Sequence, residues 1–313
     1  MRVLVTGAVG FAGQHACREL LNAGHTVIAA DCIAPPAGSD LANDWVALDV
    51  CDAAACRRVI QDMEPDGCLH VAGIAFVPNA DAAAEKVFQV NTAGTLHILE
   101  AAAAVSPHMR ILVVTTSEVY GALGTVGDHS ILSEDIPLAP RNLYGISKAA
   151  ADQTALWFAH AKEMPIMTAR PSNHTGPGQR PPFVVPAFIA RLLALRESGG
   201  GTIKVGNLES ERRFLDVRDV VRAYRLILEK GHGGEAYNIS TEVSTPIGKV
   251  LELLADKLAV DCETEVDPAF YRPTDATAAL DMRKIREHCG WSVQYDLSST
   301  LDAMIADLSK NAD

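Results

Sequence analysis

Residues 2–31 constrain the fold of this chain most strongly. Arg2-Val-Leu-Val-Thr6 is a short β-branched apolar run of the kind that forms a buried strand. Gly7-Ala-Val-Gly10-Phe-Ala-Gly13 then leads into a helical pattern from Gln14 to Ala23, and Thr26 to Ala30 reads as a second strand. Asp31 follows its end, 24 positions after Gly7. Glycines in such a turn let backbone amides approach a pyrophosphate, which the positive end of the next helix stabilises. An acid at this distance accepts from adenosine ribose hydroxyls and repels a 2′-phosphate. The glycines are spaced three and three, not G-x-G-x-x-G. On their own they read equally as turn formers; with the strand, the helix and Asp31 they read as a cofactor site.

The alternation continues with a strand at Val46 to Leu48, a helix at Ala53 to Met63, a strand at Cys68 to Ala72, a helix at Ala84 to Ala104 and a strand at Arg110 to Thr115. Repeated βα units imply a doubly wound parallel sheet of Rossmann type, with ligands at the carboxyl ends of the strands. Those ends carry Gly7, Asp31, Asp49, Val50, Ala72, Gly73, Thr115, Thr116, Ser117 and Glu118. His70 lies inside its strand and reads as a packed core histidine. A helix is expected at Tyr144 to Lys162, a strand at Ile166 to Arg170 and a turn from Pro171 to Gly178, after which the alternation is lost. The expected division is residues 1–170 plus about 214–240 as the nucleotide-binding domain. Residues 171–213 plus about 241–313 would form a smaller α/β substrate-binding lobe. The long loop after Gly121 is expected to be a lid or substrate wall.

Tyr144 and Lys148 are four apart, so on a helix they share a face, and an ammonium near a phenol is expected to lower its pKa. As a lone pair they read as ordinary helix surface. A net charge of -12 over 313 residues argues against a nucleic acid or an anionic membrane as partner. No apolar run is long enough to span a bilayer, and no signal peptide is evident. The seven cysteines form no C-x-x-C pair, and Cys51 and Cys56 lack a matching histidine spacing. They read as reduced packing residues of a cytoplasmic protein that binds no metal.

Taken jointly, TGAVGFAG at 6–13, Asp31, HVAG at 70–73, Asn91 in VNTAGT, TTSEVYG at 115–121, YGISK at 144–148 and RPSNHTGPGQ at 170–179 resemble the extended short-chain dehydrogenase/reductase family. That family comprises nucleotide-sugar dehydratases, epimerases and reductases. RPSNHTGPGQ with FVVPAFIARL, RRFLDVRDVVRAY at 212–224, and DPAFYRPTD at 267–275 ahead of Gly290-Trp291 look most like its reductases of GDP-4-keto-6-deoxymannose, which form GDP-rhamnose. The related GDP-mannose dehydratases resemble TGITGQDG at the first turn, which this chain lacks. Many of the reductases carry phenylalanine where this chain has Ser172.

The resemblance implies NAD(H), or NADP(H) as the alternative, bound by Gly7, Gly10, Phe11, Ala12, Gly13, Asp31, Asp49, Val50, Val71, Ala72, Gly73, Asn91, Thr115, Tyr144, Lys148 and Pro171. Asp31 leans towards NADH. Tyr144 would be the acid/base, Lys148 would bind the nicotinamide ribose, and Thr116 would direct the sugar carbonyl to Tyr144. For Thr116 the other reading is plain strand-end polarity. Glu118 is placed with the catalytic residues by analogy with the dehydratases. Thr116, Ser117, Glu118, Asn173, Val184, Arg213 and Arg272 would hold a GDP-sugar, while Arg212, Arg213 and Arg218 read alternatively as a solvated basic surface. His174 is expected to be structural. The alanine-rich faces of helices 84–104 and 144–162 imply a homodimer or, alternatively, a buried monomer face. The leading expectation is a nucleotide-sugar reductase; a 4,6-dehydratase or 4-epimerase with bound NAD, and a non-catalytic nucleotide sensor, compete with it.

Overall fold

Along β1 (Arg2–Thr6), Val3 and Val5 enter one core and Leu4 another, because successive side chains leave opposite faces of a strand. The computed structural model describes residues 1–35, 38–75, 83–124, 131–271 and 279–310. From β1 the chain runs through α1 (Phe11–Asn22), β2 (Thr26–Asp31), β3 (Asp44–Ala47), α2 (Ala53–Met63), β4 (Gly67–His70), α3 (Ala84–Phe88) and α4 (Gly94–Val105). It continues through β5 (Arg110–Val114), α5 (Leu143–Ala161), β6 (Ile166–Pro171), β7 (His174–Thr175), α6 (Val184–Ser198), β8 (Gly201–Val205), β9 (Glu211–Arg212) and β10 (Leu215–Asp216). The remaining elements are α7 (Val217–Lys230), β11 (Ala236–Ile239), β12 (Thr245–Pro246), α8 (Ile247–Leu258), β13 (Cys262–Val266), α9 (Arg283–Cys289) and α10 (Leu297–Lys310).

Seven strands form one parallel sheet in the order β11-β6-β5-β4-β1-β2-β3. This is the Rossmann-type doubly wound sheet expected, with β11 at its edge. The order reverses at β1, which lies between β2 and β4, and crevices at such a reversal take ligands. On one face α1 and α7 cover Val3, Val27, Leu112 and Tyr237; on the other α2, α4 and α5 cover Leu4, Ile28, Ile111 and Ile166. Each such fully buried side chain contributes about 1.5–3 kcal/mol relative to exposure.

A separate core, including Ile189, Leu192, Leu251, Leu254 and Leu301, joins α6, α8, α10 and the parallel pair β8-β13. From the same C-terminal stretch, Ile285 and Cys289 of α9, with Trp291, instead enter the core beneath the sheet. The Trp291 indole N–H donates to the Asp219 carbonyl at 2.9 Å. Among the described residues no helix is long and apolar enough to cross a membrane.

Three local expectations are corrected. The helix read from 84 to 104 is interrupted by a π turn at Gln89–Ala93, whose central Asn91 is fully buried and bonded to a neighbouring loop. The first helix begins at Phe11 rather than Gln14. The fourth strand ends at His70 rather than Ala72, whose N–H donates to the Thr6 hydroxyl at 3.3 Å.

Candidate active site

Steric contact explains the first and last glycines of the turn. Gly7 has φ +71, and a Cβ there would lie 2.7 Å from the Ala72 backbone. At Gly13 a Cβ would fall 2.0 Å from the Gly7 carbonyl oxygen, so strand, turn and helix close on one another only with glycine at both places. Gly10 caps α1 without a side-chain hydrogen bond, leaving the amides of a first turn that opens on Phe11 and Ala12 without a side-chain acceptor. Asp31 Oδ2 accepts from the Val9 N–H at 3.0 Å and Oδ1 from the Ile33 N–H at 3.1 Å, tying the end of β2 to this turn. Bare helix amides, a glycine turn and an acid beside it fit a dinucleotide.

Past the end of β3, Asp49 Oδ1 accepts from the Cys51 N–H at 2.9 Å, and His97 Nδ1 donates to the carbonyl of buried Val50 at 2.8 Å. Past β4, Val71 N–H donates to the Thr6 carbonyl at 3.3 Å. A Cβ on Gly73 would lie 2.9 Å from Lys148 Nζ and 3.1 Å from Asn91 Oδ1, so this loop lies directly on the lysine. Asn91 accepts from the Ile74 N–H at 2.8 Å and donates to its carbonyl and to Ser147 Oγ, clamping the loop to α5. His70 sits below it as a packed core histidine, between Thr6 Oγ1 at 2.7 Å and Thr95 Oγ1 at 3.1 Å. Burial, aided by the Lys148 charge, lowers its pKa to about 3.

The capped first turns of α5 bring Tyr144 and Lys148 to the ends of β4 and β5. Tyr144 is half-buried and shares a hydrogen bond with the Thr116 hydroxyl. Thr116 Oγ1 also accepts from the Glu118 N–H at 3.2 Å. Burial pushes the Tyr144 phenol up, the Glu118 carboxylate adds to the effect, and the Thr116 bond opposes it in part. The lowering expected from Lys148 is therefore overturned. Its ammonium donates to the Val114 carbonyl at 2.9 Å, and the phenol keeps its proton. Thr115 turns inward: its hydroxyl lies 2.9 Å from the Ala169 carbonyl and 3.2 Å from Asp152 Oδ2.

Pro171 ends β6, and Asn173 stands exposed beyond it. The Asn173 carbonyl accepts from the Leu215 N–H at 2.9 Å and the Ser172 hydroxyl donates to the Arg213 carbonyl at 3.3 Å, which brings Asn173 and Arg213 together. Arg213 Nη1 donates to the carbonyls of Glu242 at 2.6 Å and Thr241 at 3.1 Å, while its buried Nε has no hydrogen-bond partner. Arg218, by contrast, is held by Asp216 at 2.6 Å and lies 3.8 Å over the Tyr295 ring. Val184 opens α6 and Ser117 the turn after β5. His174 is structural as expected, bonded to the Ser172 carbonyl at 3.1 Å and stacked on Phe11. Arg272 and part of the long loop after Gly121 lie outside the described residues.

The sequence pattern of GDP-mannose 4,6 dehydratases matches residues 4–304. The chain belongs to that family. It is 31% identical to the GDP-6-deoxy-D-mannose reductase of Pseudomonas aeruginosa, over 98% of this chain and 96% of that protein. Its fold superposes on a structure of RMD from Pseudomonas aeruginosa complexed with NADPH, with TM-score 0.81, 28% identity and 99% of both chains covered. It also matches dTDP-glucose 4,6-dehydratase from Bacillus anthracis in complex with NAD, with TM-score 0.84, 26% identity, and 99% of this chain and 97% of that one covered. Membership makes the chain an enzyme of an oxidoreductase-type family.

Two features of this family member's site were not read from the sequence. Asn142 touches both α5 and Glu118, for which the one available signal was an asparagine at a helix start. Behind Thr115, whose hydroxyl lies 3.2 Å from Asp152, is a buried polar floor: Arg170 pairs with Asp152 at 2.7 Å and donates to Tyr120 Oη at 2.9 Å, and Tyr120 donates to Asn238 Oδ1 at 2.7 Å. Its members are up to 118 residues apart, and no local pattern announces them.

Proposed function

We propose that this chain reduces the C4 ketone of GDP-4-keto-6-deoxymannose to GDP-rhamnose with NADH or NADPH. The observation that carries the reading is the Tyr144 phenol, bonded to Thr116 and held protonated by burial and by Glu118. A sugar alkoxide needs a proton donor as it forms, and a phenol that keeps its proton supplies one. The nicotinamide, when bound, supplies the hydride. Thr116 orients the ketone oxygen towards Tyr144, and Lys148 holds the nicotinamide ribose beside it. Gly7, Gly10, Phe11, Ala12 and Gly13 receive the pyrophosphate, Asp31 the adenosine ribose, and Asp49 with Val50 the adenine. Val71, Ala72, Gly73 and Pro171 wall the nicotinamide end; Asn91 and Thr115 fix those walls through inward hydrogen bonds. Ser117, Glu118 and Asn173 line the sugar, Val184 the nucleoside, and Arg213 with Arg272 the diphosphate.

In this reading residues 1–170 with about 214–240 bind the cofactor, and 171–213 with about 241–313 form the substrate lobe, α9 being the part of the latter that packs back on the former. Leu96, Ala103 and the 57% exposed Trp157 line a surface groove between α4 and α5, which supports a homodimer through these helices. Trp157→Arg is expected to shift the species seen by sedimentation to half its mass. The free cysteines support a reducing compartment, the cytoplasm.

Supplying GDP-4-keto-6-deoxymannose with NADH tests the reaction: NADH loss equal to product formed supports reduction. Turnover of GDP-mannose without added reductant would favour the second reading, a 4,6-dehydratase, which the carboxylate of Glu118 beside Tyr144 also suits.

A further inference from the structure

Asn142 makes two hydrogen bonds through one amide. Its Oδ1 accepts from the Gly145 N–H at 2.7 Å and so caps α5, while its Nδ2 donates to Glu118 Oε2 at 2.7 Å. Glu118 is exposed, on the short 3-10 turn at Ser117–Gly124. The backbone of that turn is fixed independently. The Glu118 N–H donates to Thr116 Oγ1, and a Cβ on Gly145 would lie 3.1 Å from the Glu118 carbonyl oxygen. The carboxylate, three rotatable bonds further out, has the Asn142 amide to hold it. An unheld glutamate samples many rotamers, and most carry its charge away from the helix.

We propose that Asn142 is a positioning residue that holds the Glu118 carboxylate beside the Tyr144 phenol, linking the cap of α5 to the proton transfer. The inference deepens the reductase reading and rests on it. The groups acting on Tyr144 are the Glu118 carboxylate and Thr116 hydroxyl from the end of β5, with the Tyr224 phenol of α7 coupled to it; the Lys148 ammonium, one turn along α5, is turned to the Val114 carbonyl. Burial holds the proton on the phenol, and of these groups Glu118 carries the negative charge that adds to the effect.

Asn142→Ser separates the two hydrogen bonds, since serine caps a helix as well as asparagine does but has no amide to reach Glu118. The expected result is a small Tm loss from the broken tether, unchanged NADH affinity, and an alkaline limb of kcat moved to lower pH by roughly one unit, so that the kcat loss grows with pH to about tenfold. Glu118→Gln is expected to move the limb the same way, and the double variant no further. A wild-type limb in Asn142→Ser, or a kcat loss equal at every pH, overturns the proposal. A thermal cycle over the same variants needs no substrate: less-than-additive Tm losses support the tether and additive ones overturn it. Failure of wild-type enzyme to consume NADH is a separate result, which removes the reductase reading and leaves the tether to the thermal cycle.

Discussion

Lys148 Nζ donates to the Val114 carbonyl oxygen at 2.9 Å from a position only 5% exposed, and no carboxylate among the described residues pairs with it. Burial lowers its pKa from the ordinary 10.5 to about 8. Below about 8 the folded chain bears the whole cost of a desolvated ammonium. Between about 8 and 10.5 the unfolded chain binds the proton that the folded chain has lost, so stability rises with pH across that window. Lys148→Met is expected to abolish NADH oxidation, raise unfolding free energy at neutral pH by about 2 kcal/mol, and flatten this alkaline rise. Urea unfolding as a function of pH reads both effects.

Asp31 holds its carboxylate between the Val9 and Ile33 amides, where a 2′-phosphate would meet a negative charge. Wild-type enzyme is expected to favour NADH. Asp31→Ser is expected to shift the ratio of kcat/KM for NADPH over NADH upward by about tenfold or more, measured by steady-state kinetics with both nucleotides.

Arg213 and Arg218 are close in sequence but differ in what holds them. Arg213 is anchored by the carbonyls of Thr241 and Glu242, with its buried Nε unpartnered. Arg218 is neutralised by Asp216. Arg213→Lys is expected to weaken GDP binding by about tenfold with little change in Tm, since an ammonium cannot reproduce the planar fork. Arg218→Lys is expected to lower Tm and leave GDP affinity unchanged. Titration calorimetry with GDP, beside a thermal melt, separates the two.

Asp152 is fully buried and takes both Arg170 Nε at 3.0 Å and Nη2 at 2.7 Å. Asp152→Asn leaves the guanidinium without a counter-charge and is expected to cost about 3–5 kcal/mol in urea unfolding. Replacing both partners with apolar residues is expected to cost less than this single change.

The sheet was legible because short apolar runs such as Arg2–Thr6 are local signals, and the glycine turn was legible because its steric demand is local too. Tyr144 and Lys148 were legible as a pair by helical spacing. Their mutual effect was not, because spacing places Lys148 near the phenol but does not reveal that the Val114 carbonyl holds the ammonium. The π turn at Gln89–Ala93 escaped for the same kind of reason: hydrophobicity runs evenly through it, and the break comes from Asn91 reaching a loop 17 residues away. The inward contact of Thr115 with Asp152 was not legible either, because it joins residues 37 apart.

The polar floor behind Thr115 also joins the two ends of the sequence that builds the site. Tyr120, Asp152 and Arg170 are finished by Asn238, whose backbone N–H in turn donates to Glu134 Oε1 at 2.8 Å. A nascent chain that has emerged only through β6 already carries every residue of the glycine turn and the Tyr144 helix, but the edge of its sheet is open and Tyr120 has no acceptor at Asn238. A truncation ending before Ala236 would therefore carry every sequence motif of the cofactor site over a floor whose last polar partner is missing.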